Sequence, residues 1–236
     1  MGRERALDSN KIKVRYEDMP GKLTYFPIGV RAEAIRMILA LSNTEYEDER
    51  IGMEQWGAMK AAGTSEFGGL PIWTEDGRTF GQCNAILTYL GRKLGYYSDD
   101  AVVQYNIDSL LDFHEDIIEK YGKYIFPKAL MGGELGDVEV FLTGFWDNHL
   151  RIIEGRLTAS GKPFVAGTDA PTIADFKLIA QLTTTFPDMT SACVIPEDVQ
   201  AQVQAKIDAH PQYKAWAARM KEVLAAYLAA RPPIAF

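Results

Sequence analysis

Tyr25 stands where the period of the sequence changes. Leu23-Thr24-Tyr25-Phe26 is a short extended run, and Pro27 and Gly29 break it. Val30, Ala34, Met37, Ile38 and Leu41 then follow at the i, i+4, i+7, i+8, i+11 spacing of an amphipathic helix. A strand, a turn and a helix in that order put a side chain at the strand's carboxyl end beside a helix amino terminus. Backbone donors and the helix dipole favour negative charge there. A phenol at this junction faces a place where an anion is comfortable, although a tyrosine can equally do no more than close a strand.

The other chemistry-bearing residue types offer less. Cys83 and Cys193 are far apart and form neither a disulfide framework nor a metal-ligand pair, which suits a reducing cytosol. His114, His149 and His210 lack close ligand spacing, so no metal is expected. With 25 lysines and arginines against 32 acids, the net charge of −7 and pI near 5.1 exclude a broad nucleic-acid surface. An apolar content of 47% over 236 residues supports a packed core. Residues 1–21 are polar, carry both signs of charge and lack an apolar h-region, so they are expected to be a flexible extension rather than a signal. No transmembrane segment and no membrane partner are expected.

The elements that must position Tyr25 can be read in order. Glu45 to Ile51 is a strand-length segment able to pair beside the first strand after a βαβ crossover. Met53 to Ala62 reads as a short helix, and Gly63 to Gly69 as a breaker cluster. Leu70 to Thr74 is a strand with a hairpin signal at Asp76-Gly77 before Thr79-Phe80, and a helix runs from Asn84 to Leu94. The order is βαβαββα. From Asp99 onward the pattern is helical only: Asp99 to Tyr124, Val138 to Leu157, a core helix through Phe176 to Leu182, Pro196 to Ala209 and Pro211 to Ala230. Thr172-Ile173-Ala174-Asp175 has the form of a capping box. An α/β domain over residues 22–95, a linker and an all-α domain over residues 101–236 are expected.

The chain resembles the cytosolic glutathione transferases, nearest to their sigma and mu classes. The resemblance spans Lys22 to Pro232. Its carriers are Leu23-Thr24-Tyr25-Phe26 with Arg31-Ala32-Glu33, Tyr46 to Ile51, Trp56 with Lys60, Leu70-Pro71-Ile72, Gln82-Cys83-Asn84-Ala85-Ile86 and Thr172 to Phe176. It implies a thioredoxin-like amino-terminal domain, a carboxy-terminal helical bundle, a cytoplasmic homodimer, and glutathione as co-substrate for conjugation to hydrophobic electrophiles in detoxification.

Carried over residue by residue, the resemblance implies that Tyr25 donates a hydrogen bond to the glutathione sulfur, with Arg31 supporting it. Trp56 and Lys60 would hold the glycine carboxylate. Leu70, before a cis Pro71, would pair its backbone with the cysteinyl part, and Gln82 and Cys83 would seat the γ-glutamyl carboxylate. Asp116 would reach the glutathione ammonium of the other subunit. Phe26, Ile28, Lys123 and Phe126 would line the pocket for the second substrate.

Four positions depart from the family pattern. Cys83 replaces a serine and Gly69 a lysine, both implying weaker or differently tuned glutathione binding. Val30 replaces a glycine, so the turn after Tyr25 is expected to differ. Lys123 stands where prostaglandin-isomerising relatives have an aromatic residue. A glutathione-dependent isomerase and a non-catalytic binder of the same fold are the competing readings. Asp108, Asp112, Glu115 and Glu119, with Asp116 beside them, read as a solvated acidic stripe; the resemblance to sigma-type members implies, as an alternative, a divalent cation bridging Glu115 and Asp116 with the partner's copies.

Overall fold

The computed structural model of the protein describes residues 20–124, 136–184 and 197–232. Most of the expected polar extension, Phe126, Cys193 and the start of the helix expected from Pro196 lie outside them. β1 (Gly21–Tyr25), α1 (Val30–Leu41) and β2 (Tyr46–Arg50) form a parallel βαβ unit, in which Gly21 pairs with Tyr46 and Tyr25 with Arg50. After α2 (Met53–Ala61), β3 (Ile72–Glu75) runs antiparallel to β1 and to β4 (Arg78–Phe80), and α3 (Cys83–Leu94) closes the unit. The strand order is β2-β1-β3-β4, which puts Tyr25 at the end of an inner strand. This is the expected thioredoxin-like βαβαββα arrangement.

α4 (Ala101–Tyr124) opens the helical part. α5 (Val138–Val140) continues through a π-helical turn, Phe141–Trp146, into α6 (Asp147–Ser160). The single stripe read from Val138 to Leu157 is therefore interrupted by a wider turn, which spacing alone does not reveal. α7 (Ile173–Thr184), α8 (Glu197–Asp208), α9 (Pro211–Val223) and α10 (Ala225–Ala230) complete it, with the helix expected from Pro211 to Ala230 broken at Leu224.

α7 is the central strut. All twelve of its residues are buried, and it packs against both α1 and α4. One contiguous apolar core runs from Leu23 and Ile35 through Leu110 and Phe176 to Trp216 and Leu224. The start of α7 departs from a reciprocal capping box. Asp175 does answer back, accepting from the Thr172 amide at 2.8 Å, but the Thr172 hydroxyl also donates to that carboxylate, at 3.0 Å. The Asp175 amide donates instead to the Thr172 carbonyl. The other carboxylate oxygen takes the Val165 amide at 3.0 Å and the Trp216 indole at 2.9 Å, so one buried acid ties together three segments.

The first helix is tied to the carboxy-terminal end in a similar way. Glu33, buried on α1, accepts from the Tyr227 hydroxyl and from Arg231, each at 2.9 Å. Arg231 also donates to the Thr183 carbonyl at 2.8 Å, fastening α1, α7 and the segment after α10 to one another.

Candidate functional site

Tyr25 ends β1 with 5% of its surface exposed. Burial pushes its phenol up to about 12, although the Arg31 backbone and the charges of Arg31 and Arg36 pull it the other way. The phenol is therefore a proton donor at neutral pH rather than a base. Arg36, itself buried, fixes the turn that follows: it donates to the Ile28 carbonyl at 2.7 Å and to Asp48 on β2 at 3.1 Å. Its guanidinium carbon lies 5.9 Å from the centre of the Tyr25 ring. Gly29 precedes α1, and a Cβ there would come within 2.4 Å of Thr184 Cγ2, so this turn is pressed against the end of α7. Val30 takes φ +38°, a left-handed value that a β-branched side chain adopts only under strain.

The Leu70–Pro71 peptide is cis, as expected. Pairing of β3 with β1 begins at Ile72, so the Leu70 backbone lies just beyond the paired register. Gln82 caps α3 with φ +67°, a second non-glycine residue in an unusual conformation beside the cleft. Arg31, Gln82, Cys83, Leu70, Phe67 and Gly69 line one cleft of about 240 Å³. The structure thus brings together, around the amino end of α3, four of the expected site residues, Arg31, Leu70, Gln82 and Cys83, with Gly69 beside them.

Behind this cleft lies a charged group that sequence reading missed. Arg31 Nη1 is 2.7 Å from Glu115 Oε2, and Lys177 Nζ is 2.9 Å from Glu115 Oε1. The thiol of Cys83 sits among them, 3.5 Å from Lys177 Nζ, 3.6 Å from Arg31 Nη1 and 3.8 Å from Glu115 Oε1. Burial alone would raise the Glu115 carboxyl, but Lys177 and then Arg31 override it and hold it below the usual carboxylate range. Glu115 therefore leaves the acidic stripe on which the sequence put it. The solvent-facing row on α4 is Asp108, Asp112, Asp116 and Glu119, while Glu115 turns inward. Lys177 left one readable trace: a lone lysine inside the apolar run of α7.

The other expected site residues fall outside that cleft. Trp56 is half-buried on α2, where no residue is fully buried. Lys60 is exposed on the same helix, its Cε 3.9 Å from where a Cβ at Gly68 would sit, at the edge of the loop that borders the cleft. Asp116 is exposed on α4. Phe26 packs its ring 5.6 Å from that of Tyr25, and Ile28 is turned into the core rather than into open space. Lys123 is exposed at the end of α4 with its ammonium over the Tyr124 ring. Pro71 is buried. Among the described residues no His, Cys, Asp and Glu side chains cluster as a metal site, and no helix is long and apolar enough to cross a membrane.

No protein-family model matches the chain. Known proteins do resemble it. A protein named probable glutathione S-transferase 7 from Caenorhabditis elegans is 33% identical over 199 residues, covering 82% of this chain and 87% of that protein. A solved structure described as a major nematode-specific GST of C. elegans superimposes with a TM-score of 0.73 at 28% identity, covering 90% of this chain and 97% of the other. The structure of Na-GST-3 from the hookworm Necator americanus, described as a monomeric glutathione S-transferase, gives a TM-score of 0.76 at 25% identity, covering 92% of this chain and all of the other (100%).

Proposed function

The chain belongs to the glutathione S-transferase family, and we propose that it activates glutathione's thiol at the end of β1 through a hydrogen bond donated by Tyr25. The protein is a glutathione transferase, with glutathione as its co-substrate and a hydrophobic electrophile as the acceptor. The observation that carries the Tyr25 reading is a buried phenol, kept protonated, at the strand end beside the amino end of α1. The nucleophile is the thiolate. A free thiol with a pKa near 8.5 is roughly 3% ionised at pH 7, and lowering it by about two units costs about 2.7 kcal/mol of differential stabilisation. One hydrogen bond to a charged acceptor supplies about 1.5–3 kcal/mol, so Tyr25 alone can account for most of the activation.

Arg31 beside Tyr25 adds positive charge near the sulfur. The γ-glutamyl carboxylate goes to the amino end of α3, where Gln82 and the Cys83 amide face the cleft. The Leu70 backbone, preceding Pro71, takes the cysteinyl portion in a strand-like contact. Trp56 and Lys60 close on the glycine carboxylate from α2. Phe26 and Lys123 border the place for the electrophile; Ile28 is turned into the core and does not line it, and Phe126 lies outside the described residues.

Two copies of the chain pair as a homodimer in this reading. Phe67, at the rim of the cleft, is 56% exposed, and Val102 and Tyr105 on the outer face of α4 are 69% and 68% exposed. Asp116 lies on the same exposed face of α4, from which it reaches the glutathione ammonium in the partner's site. The enzyme works in the cytosol, consistent with the free thiol of Cys83. Conjugation of glutathione to chlorodinitrobenzene, run beside retention on immobilised glutathione, tests the reading. Both retention and turnover are expected; retention without turnover contradicts it.

A further inference from the structure

Two cations and one carboxylate meet behind the cleft at the amino end of α3. Arg31 and Lys177 share Glu115, at 2.7 and 2.9 Å. Lys177 and then Arg31 hold that carboxyl below its usual range, so the three groups together carry a net positive charge at neutral pH. His114, which interacts with Lys177, adds nothing to it, because burial keeps its imidazole neutral. The charge reaches the cleft itself. Lys177 Nζ is 3.5 Å and Arg31 Nη1 3.6 Å from the thiol of Cys83. Arg31 and Cys83 line the cleft, and its other lining residues, Phe67, Gly69, Leu70 and Gln82, include no acid. No side chain caps α3 and its first turn holds no acid, so nothing on that helix answers the charge.

Stability does not ask for this ammonium. Lys177 is 4% exposed, and a buried ion pair recovers little more than its desolvation cost, so an apolar side chain of similar length would pack about as well. An anion arriving in the cleft gives the charge its partner. We propose that Lys177 is a specificity-determining residue for glutathione, its ammonium supplying the excess positive charge that draws the γ-glutamyl carboxylate to the amino end of α3. This rests on the reading that the carboxylate lies there. Lys177 acts from behind Cys83, whose thiol is a weak donor to a carboxylate, so that charge does what a hydroxyl at that position would otherwise do. Without the ammonium, Arg31 and Glu115 cancel, and the cleft offers the carboxylate only Gln82 and the helix amides.

S-methylglutathione, which has no free thiol and so does not depend on activation by Tyr25, is the probe, and calorimetry gives its Kd. Lys177→Met takes the net charge of the group to zero, and binding is expected to weaken roughly five- to thirtyfold, the effect of one unit charge a few ångströms from a half-open cleft. Lys177→Met combined with Glu115→Gln leaves Arg31 alone and restores the positive charge, and affinity should return to within about threefold of wild type. A packing role for Lys177 gives no such recovery. In Lys177→Met the KM for glutathione should rise while kcat stays within about twofold. Probe binding by Lys177→Met as tight as wild type, a double variant that binds no better than Lys177→Met, or a fall in kcat with KM unchanged overturns the proposal alone. Wild-type protein that does not bind S-methylglutathione overturns the reading of the cleft on which the proposal rests.

Discussion

Lys177 sets its ammonium 2.9 Å from Glu115 Oε1, although the two residues lie on different helices and Lys177 is almost wholly buried. The other Glu115 oxygen holds Arg31 at 2.7 Å, so this one carboxylate is shared by two cations beside the cleft and leaves the group net positive. Removing either end of the pair has unequal consequences. Glu115→Gln leaves a buried ammonium with no anion and a guanidinium nearby, at a cost of about 2–3 kcal/mol. That is below the full penalty for breaking a buried pair, because Glu115 is partly open to solvent. Lys177→Met removes the buried charge itself and should cost less than about 1.5 kcal/mol. Thermal unfolding of both variants checks the order; a larger loss for Lys177→Met contradicts it.

The acid limit of stability should be set early by histidines. His149 is stacked between Phe113 and Trp146, and burial pushes its imidazole down to about 3. Burial, with Lys177 next, takes His114 well below its ordinary value. In the unfolded chain both take up a proton near pH 6.5, whereas the native state refuses it until far lower. Stability is therefore full above about pH 6.5 and falls between there and about pH 3, by roughly 1.4 kcal/mol per pH unit for each proton. His149→Phe, which keeps the stacking, should remove about half of that slope in urea titrations between about pH 6 and 4.5. An unchanged slope contradicts the assignment.

The turn after Tyr25 carries its own prediction. Gly29→Ala places a methyl in the Thr184 side chain and should cost about 1–3 kcal/mol by overpacking, lowering Tm by roughly 2–4 °C for each kcal/mol. Val30→Gly should be close to neutral, because relief of about 1–2 kcal/mol of left-handed strain offsets the flexibility glycine brings. A Val30→Gly variant as damaged as Gly29→Ala shows that Val30 is not strained in solution.

Phe67 offers the simplest test of pairing. Phe67→Ser should shift the protein from dimer to monomer in sedimentation and reduce turnover, since Asp116 then reaches no partner site. Sedimentation of the wild-type chain as a monomer contradicts the homodimer.

The sheet and the helix order were legible because local signals agree with the tertiary result there: the short extended run of β1, breakers at Gly63 to Gly69 and the Asp76-Gly77 hairpin all point the same way, whereas the cis Pro71 followed only from the likeness to a known family. The cleft residues Arg31, Leu70, Gln82 and Cys83 were legible only because their spacing matches a known family. Glu115 was misplaced onto the outer stripe because Glu115 and Asp116 are neighbours in sequence, and helical periodicity cannot say which of two adjacent acids turns inward. A buried lysine on a helix some sixty residues further along decides that. Lys177 escaped notice for a related reason: within a wholly buried helix, polar residues show no contrast of faces. The π-helical turn at Phe141–Trp146 left no sequence signal that we can identify.

The central claim is that the Tyr25 phenol, by donating to sulfur, makes glutathione's thiol acidic. The most direct measurement is the pKa of glutathione bound to wild-type enzyme and to Tyr25→Phe, read from the ultraviolet absorbance of the thiolate, alongside glutathione affinity. The expected result is a depressed thiol pKa in the wild type that rises by about one to two units in Tyr25→Phe, with affinity nearly unchanged and conjugation slowed roughly ten- to hundredfold. The same thiol pKa and the same turnover in both proteins would contradict it.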